Sequence, residues 1–104
     1  MHAVVGSWTM DEHHRDERNR LLHEEVVPLA KGQPGFVCGF WMHDHETGKG
    51  HTAVIFDDRE SATDFKTLVE SRTQRAAHVG VTSDVLTTVE VVADAHAAHR
   101  ANAG

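Results

Sequence analysis

Two short stretches of this 104-residue chain are apolar on both sides of an extended backbone, and no other feature narrows the possible folds as much. In Phe36-Val37-Cys38-Gly39-Phe40-Trp41-Met42, alternation puts Phe36, Cys38, Phe40 and Met42 on one side and Val37 and Trp41 on the other. In Ala53-Val54-Ile55-Phe56, Val54 and Phe56 oppose Ala53 and Ile55. A strand with one face in water carries a polar row there; these two do not, so both faces of their sheet need cover.

The rest of the chain supplies the elements around them. Residues 3–9 are β-branched and aromatic enough for a first strand, and Thr9-Met10-Asp11-Glu12 has the hydroxyl-to-carboxylate spacing of a capping box that opens a helix. Leu22, Val26 and Leu29 recur on one side of that helix, with Leu21 and Ala30 alongside. Residues 11–20 are charged all round and face water, so only the second half is anchored. Pro28 is expected to kink or end the helix, and Gly32-Gln33-Pro34-Gly35 forces a turn. Residues 36–43 and 51–56 form a hairpin across 44–50, with Gly48 left-handed. A second helix opens at Asp58 and buries Ala62, Phe65, Leu68 and Val69; residues 85–93, rich in valine, make the fourth strand.

This βαββαβ order predicts an α+β, ferredoxin-like sandwich: a four-stranded antiparallel sheet with two helices on one face, in one domain over residues 1–93. An Ala-rich tail, frayed or disordered, follows over 94–104. Two helices cover one face, so the other is expected to pair with the sheet of a second copy in a two-fold homodimer.

Charge and motif content exclude several classes. Ten Lys and Arg against 16 Asp and Glu give a net charge of -6 with no free basic stripe, which argues against nucleic acid. The opening residues 1–6 lack a charged and apolar leader, and no apolar run reaches the roughly 18 residues of a membrane span, so a cytoplasmic protein without membrane contact is expected. Cys38, the sole cysteine, sits in apolar surroundings and reads as a buried thiol. Gly48-Lys49-Gly50-His51-Thr52 lacks the upstream glycine and following helix of a phosphate loop, and no nicotinamide, serine-hydrolase or zinc-ribbon motif occurs, so no cofactor is assigned.

With these elements in hand, the first strand, the charged helix ending Val26-Val27-Pro28, the Gln33-Pro34-Gly35-Phe36 entry, the hairpin, Val54-Ile55-Phe56-Asp57 and the Ser61-Ala62 helix opening resemble the antibiotic biosynthesis monooxygenase-like branch of the dimeric α+β barrel superfamily, over residues 3–93. The chain differs in carrying Asp57-Asp58 where better-known members often have a Trp, and a lone His78 where they have a His pair. The resemblance implies a cofactor-free oxygenase-like enzyme whose aromatic or polyketide-like substrate, once deprotonated, reacts with dioxygen; a non-catalytic dimer that binds a small ligand or serves in assembly is the alternative.

Candidate site residues are polar groups on apolar strands. His43, His51 and His78 are the candidate bases, and Trp41 and Trp8 the candidate substrate platform, with core or dimer-seam packing the plainer role for both indoles. A three-residue loop with a Gly48 bulge would set His43 opposite His51 and His45 diagonal to both, close enough to share a metal. The plainer reading is a wet hairpin tip, and no metal is assigned. His13, His14, His96 and His99 read as solvated, and Glu90 as the exposed side of an edge strand.

Overall fold

Strands β1 (His2–Met10) and β3 (Lys49–Phe56) are the centre of a four-stranded antiparallel sheet in the order β2-β3-β1-β4, with β2 (Phe36–Asp44) and β4 (Val81–Glu90) at its edges. The computed structural model describes residues 1–97. Between β1 and β2 run a 3₁₀ turn (Glu12–His14), α1 (Arg15–Leu21), a π-helical turn (Leu22–Val26) and α2 (Val27–Lys31). Between β3 and β4 run α3 (Arg59–Ser71) and α4 (Thr73–Ala77). The helices lie on one face, which is the ferredoxin-like arrangement expected from the sequence.

The core forms where that face meets α2 and α3. Phe56, with no exposed surface, packs edge-on to Phe36 at 6.2 Å and tilted against Phe65 at 5.2 Å, and Val4, Val54, Ala30 and Ala62 close around them. Each large apolar side chain buried this way contributes roughly 1.5–3 kcal/mol, which makes this aromatic cluster the main anchor of both helices. At the start of α3 the Asp58 carboxylate accepts from the Ser61 backbone N–H at 2.7 Å, an N-cap that satisfies one otherwise unpaired donor.

Several local expectations are corrected. Thr9 does not cap a helix: it is still paired in β1, its hydroxyl bonds Asp84, and Asp11 takes the cap by accepting from the His13 N–H at 2.6 Å. Of the kink or end expected at Pro28, the end does not occur: in the π-helical turn before it the Val27 N–H reaches back five residues to the Leu22 carbonyl, and the chain stays helical to Lys31. In β2 the register shifts between Phe36 and Cys38, so Val37 is a bulge residue and Phe36 turns to the helix side, away from Cys38, Phe40 and Met42. Strand β4 begins four residues earlier than expected and stops at Glu90, opposite His2, the first residue of its partner β1; beyond that pair the Val91 N–H meets the Met1 carbonyl.

The hairpin forms with Gly48 at φ 74°, but its loop holds four residues, 45–48, between the Asp44–Lys49 pair. Cys38 is half-buried on the sheet's open face, a correction to the expected buried thiol. That face also carries Phe40, Met42, Val85 and Val89 at 56%, 48%, 53% and 40% exposure, so the second apolar face inferred from alternation is present and is not covered by any of the described residues. Residues 91–97 carry neither helix nor strand, His96 is exposed beside Asp94, and His99 lies outside the described residues. Among the described residues no helix is long and apolar enough to cross a membrane.

Candidate functional site

The charge pattern of the first helix produces the site. Where α2 closes on β2 and α3 on β1, β3 and β4, α1 makes no comparable approach to the sheet, and neither α1 nor the π-helical turn buries a residue. With no apolar side chain in its first turns to pull it down, α1 stands off and leaves a cavity of about 440 Å³ between helices and sheet. That is ample for a small organic molecule.

Trp8 and Trp41 lie on its sheet wall, with Val4, Val54 and Leu86 beside them and Leu29 and Val69 opposite. Trp8 is 8% exposed and donates its indole N–H to the Thr52 hydroxyl at 3.3 Å. Its ring lies back over Gly6, where a Cβ would come within 2.9 Å of it; Gly39 leaves the same kind of space under Trp41. Glycine two residues before each tryptophan is thus what allows both rings to lie along the sheet.

Polar groups gather at the rim. Arg15 and Arg18 of α1 and Arg72 and Arg75 from the junction of α3 and α4 line one side, with Glu25 among them; His43 and His45 line the other, their rings edge-to-face at 4.6 Å. Glu25 is paired with Arg75 and, at 3.5 Å, with Arg72. Arg18 donates to the backbone carbonyls of Asp11 and Val79, tying the start of the helical segment to the approach to β4. No polar or charged residue is buried among the described residues, so every titratable group at the cavity belongs to its rim.

The expected site residues divide. Trp8, Trp41 and His43 share the cavity. His51 does not: Met42 faces His51 and His43 faces Gly50, so the four-residue loop displaces the pairing by one position and puts the two imidazoles on opposite faces of the sheet. The metal-sharing geometry of His43, His45 and His51 is therefore absent, and no group of three or more His, Cys, Asp or Glu able to hold a metal is found among the described residues. His78 is exposed in the connection before β4 and is not part of the cavity wall, although Ala76 and Val79 on either side are. His13 is exposed, His14 lies 3.5 Å from Asp11, and Glu90 is exposed at the edge. The arginine rim was not singled out in the sequence; the signal was two arginine pairs at a spacing of three, 15/18 and 72/75, each one helical turn apart.

The chain matches no protein-family model, and no curated protein matches it in sequence. Solved structures do match. A protein of Deinococcus radiodurans assigned provisionally as an antibiotic biosynthesis monooxygenase aligns over 95% of this chain and 100% of its own, with a TM-score of 0.75 at 15% identity. HapK of Hahella chejuensis aligns over 95% and 100% with a TM-score of 0.70 at 12% identity. MupZ of Pseudomonas fluorescens aligns over 84% and 69% with a TM-score of 0.69 at 10% identity. The fold of antibiotic biosynthesis monooxygenase-like proteins, expected from the resemblance, is the fold of this chain. At these identities the likeness is one of fold.

Proposed function

We propose that the chain is a cytoplasmic homodimer, joined through the open faces of its sheets, that binds an aromatic or polyketide-like small molecule in the cavity of each subunit and oxygenates it without a cofactor. The observation that carries this reading is the cavity itself: a space of about 440 Å³ with two indoles on one wall, in the fold of a provisionally assigned antibiotic biosynthesis monooxygenase. A substrate ring stacks against Trp41 and Trp8. His43, at the rim, takes the proton of a phenol or enol. The resulting anion gives an electron pair from carbon to dioxygen and forms a C–O bond; the peroxide takes up a proton and eliminates water with the remaining hydrogen on that carbon, so CH2 becomes C=O, one oxygen atom stays in the product and the other leaves as water. The apolar walls keep bulk water from the anion.

Oxygen uptake with an anthrone as probe substrate tests the reading. Uptake above the buffer background is expected, lowered about a hundredfold or more in His43→Ala, the lower end of a general base's contribution. Uptake no faster than the background, or unchanged in His43→Ala, would overturn it. A second reading, a non-catalytic dimer that only binds its ligand, is favoured by the absence of buried polar or charged residues among those described. It calls for probe binding without oxygen uptake.

A further inference from the structure

We infer that the cavity takes an apolar acid, a ligand with an apolar body and one anionic group held at the arginine rim; this rests on the cavity being the binding site. The chain as a whole is acidic, at -6, yet the cavity lining includes four arginines and a single carboxylate, Glu25. Glu25 is already shared between Arg72 and Arg75. Arg18 donates to two carbonyls, which leaves its charge uncompensated. Arg15 makes no ion pair among the described residues. One carboxylate among four guanidinium groups beside a low-dielectric wall leaves a positive potential focused on the mouth.

Chance placement of surface charge in an acidic chain would put carboxylates there more often than guanidinium groups. The two arginine pairs come from separate elements, α1 and the α3–α4 junction, and line the same cavity. A guanidinium presents paired N–H donors that match a carboxylate, sulfonate or enolate. The sheet wall, with Trp8, Trp41 and Leu86, carries no fixed positive charge, and the imidazoles of His43 and His45 lie beyond it at the far rim. A ligand therefore lies with its body under the indoles and its acid toward α1 and α4.

Two dyes of one skeleton test this: anilinonaphthalene sulfonate, which is anionic, and phenylnaphthylamine, its uncharged counterpart, titrated by fluorescence against the full-length protein. The sulfonate is expected to bind about tenfold more tightly, with an advantage that shrinks as salt screens the rim. The double variant Arg15→Gln/Arg75→Gln, altering surface side chains, should weaken the sulfonate by about tenfold and leave the amine unchanged, whereas Glu25→Gln should tighten the sulfonate a few-fold. A cavity-filling Val26→Trp should weaken both dyes. Equal affinities, or no response to the arginine variants, while Val26→Trp still weakens both would overturn the acid preference and leave the cavity as a site. Binding of neither dye, or no effect of Val26→Trp on either, would overturn the cavity reading and the acid preference with it.

Discussion

The Cβ that Gly39 lacks would lie 2.9 Å from Cη2 of the Trp41 indole, two residues on and on the same side of β2. A contact that close requires one of the two to move. The bare glycine thus fixes where the indole lies on the cavity wall.

Gly39→Ala tests that relationship through the sign of its effect. Alanine in the interior of a strand with open space above it would stabilise by roughly 0.5–1 kcal/mol, because glycine loses more backbone freedom on folding. With Trp41 overhead, the expected result is a loss of about 1–2 kcal/mol from overpacking. It should appear as a lower urea midpoint together with altered Trp emission. A gain in stability would show that the indole does not depend on Gly39.

Phe40, 56% exposed on the open face midway along the edge strand β2, is the residue on which the proposed dimer turns. Wild-type protein is expected to sediment as a dimer and Phe40→Asp as a folded monomer, since a buried, unpaired carboxylate at a sheet-to-sheet contact is costly. A variant that remained dimeric would move the interface elsewhere.

Four carboxyl groups give the fold an acid limit. Asp58 is held below its ordinary value of 3.8 chiefly by the Ser61 backbone N–H, and Asp84 by the Lys49 ammonium and then the Thr9 hydroxyl. Asp11 and Asp44 are held below theirs chiefly by the backbone N–H groups of His13 and Glu46. Each has a lower pKa folded than unfolded. The stability they contribute is therefore complete above the unfolded value and is lost as pH falls through it toward the depressed one. The urea midpoint should hold level from neutrality to about pH 5 and drop below about pH 4. Asp58→Ala should lower it at neutrality, and the gap from wild type should close in acid. A gap that stays constant down to pH 2.5, or thereabouts, would contradict the role given to the Asp58 carboxylate.

Strand identity, helix sidedness and the unpaired second face were legible because each rests on periodicity, which a sequence displays directly. Register was not. Whether the hairpin loop holds three residues or four moves every cross-strand partner by one, and that single residue separated His43 from His51. The Val37 bulge hid in the same way, since an extra residue leaves the alternation of its neighbours intact on paper while turning Phe36 to the core. The end of β4 lies opposite the first residue of β1, and the helix that persists past Pro28 follows a π-helical turn that no residue preference announces. Trp8, Trp41 and His43 reached the cavity because strand alternation alone places them. The arginine rim needed knowledge of which helix segments line the same cavity.

Native mass spectrometry of untagged protein, purified without added metal, measures the subunit count and any retained ligand in one spectrum. The expected result is a dimer carrying one organic molecule per chain, with that mass lost in the cavity-filling Val26→Trp. A monomer would contradict pairing through the open sheet faces, and a retained mass that survived Val26→Trp would contradict the cavity as its site.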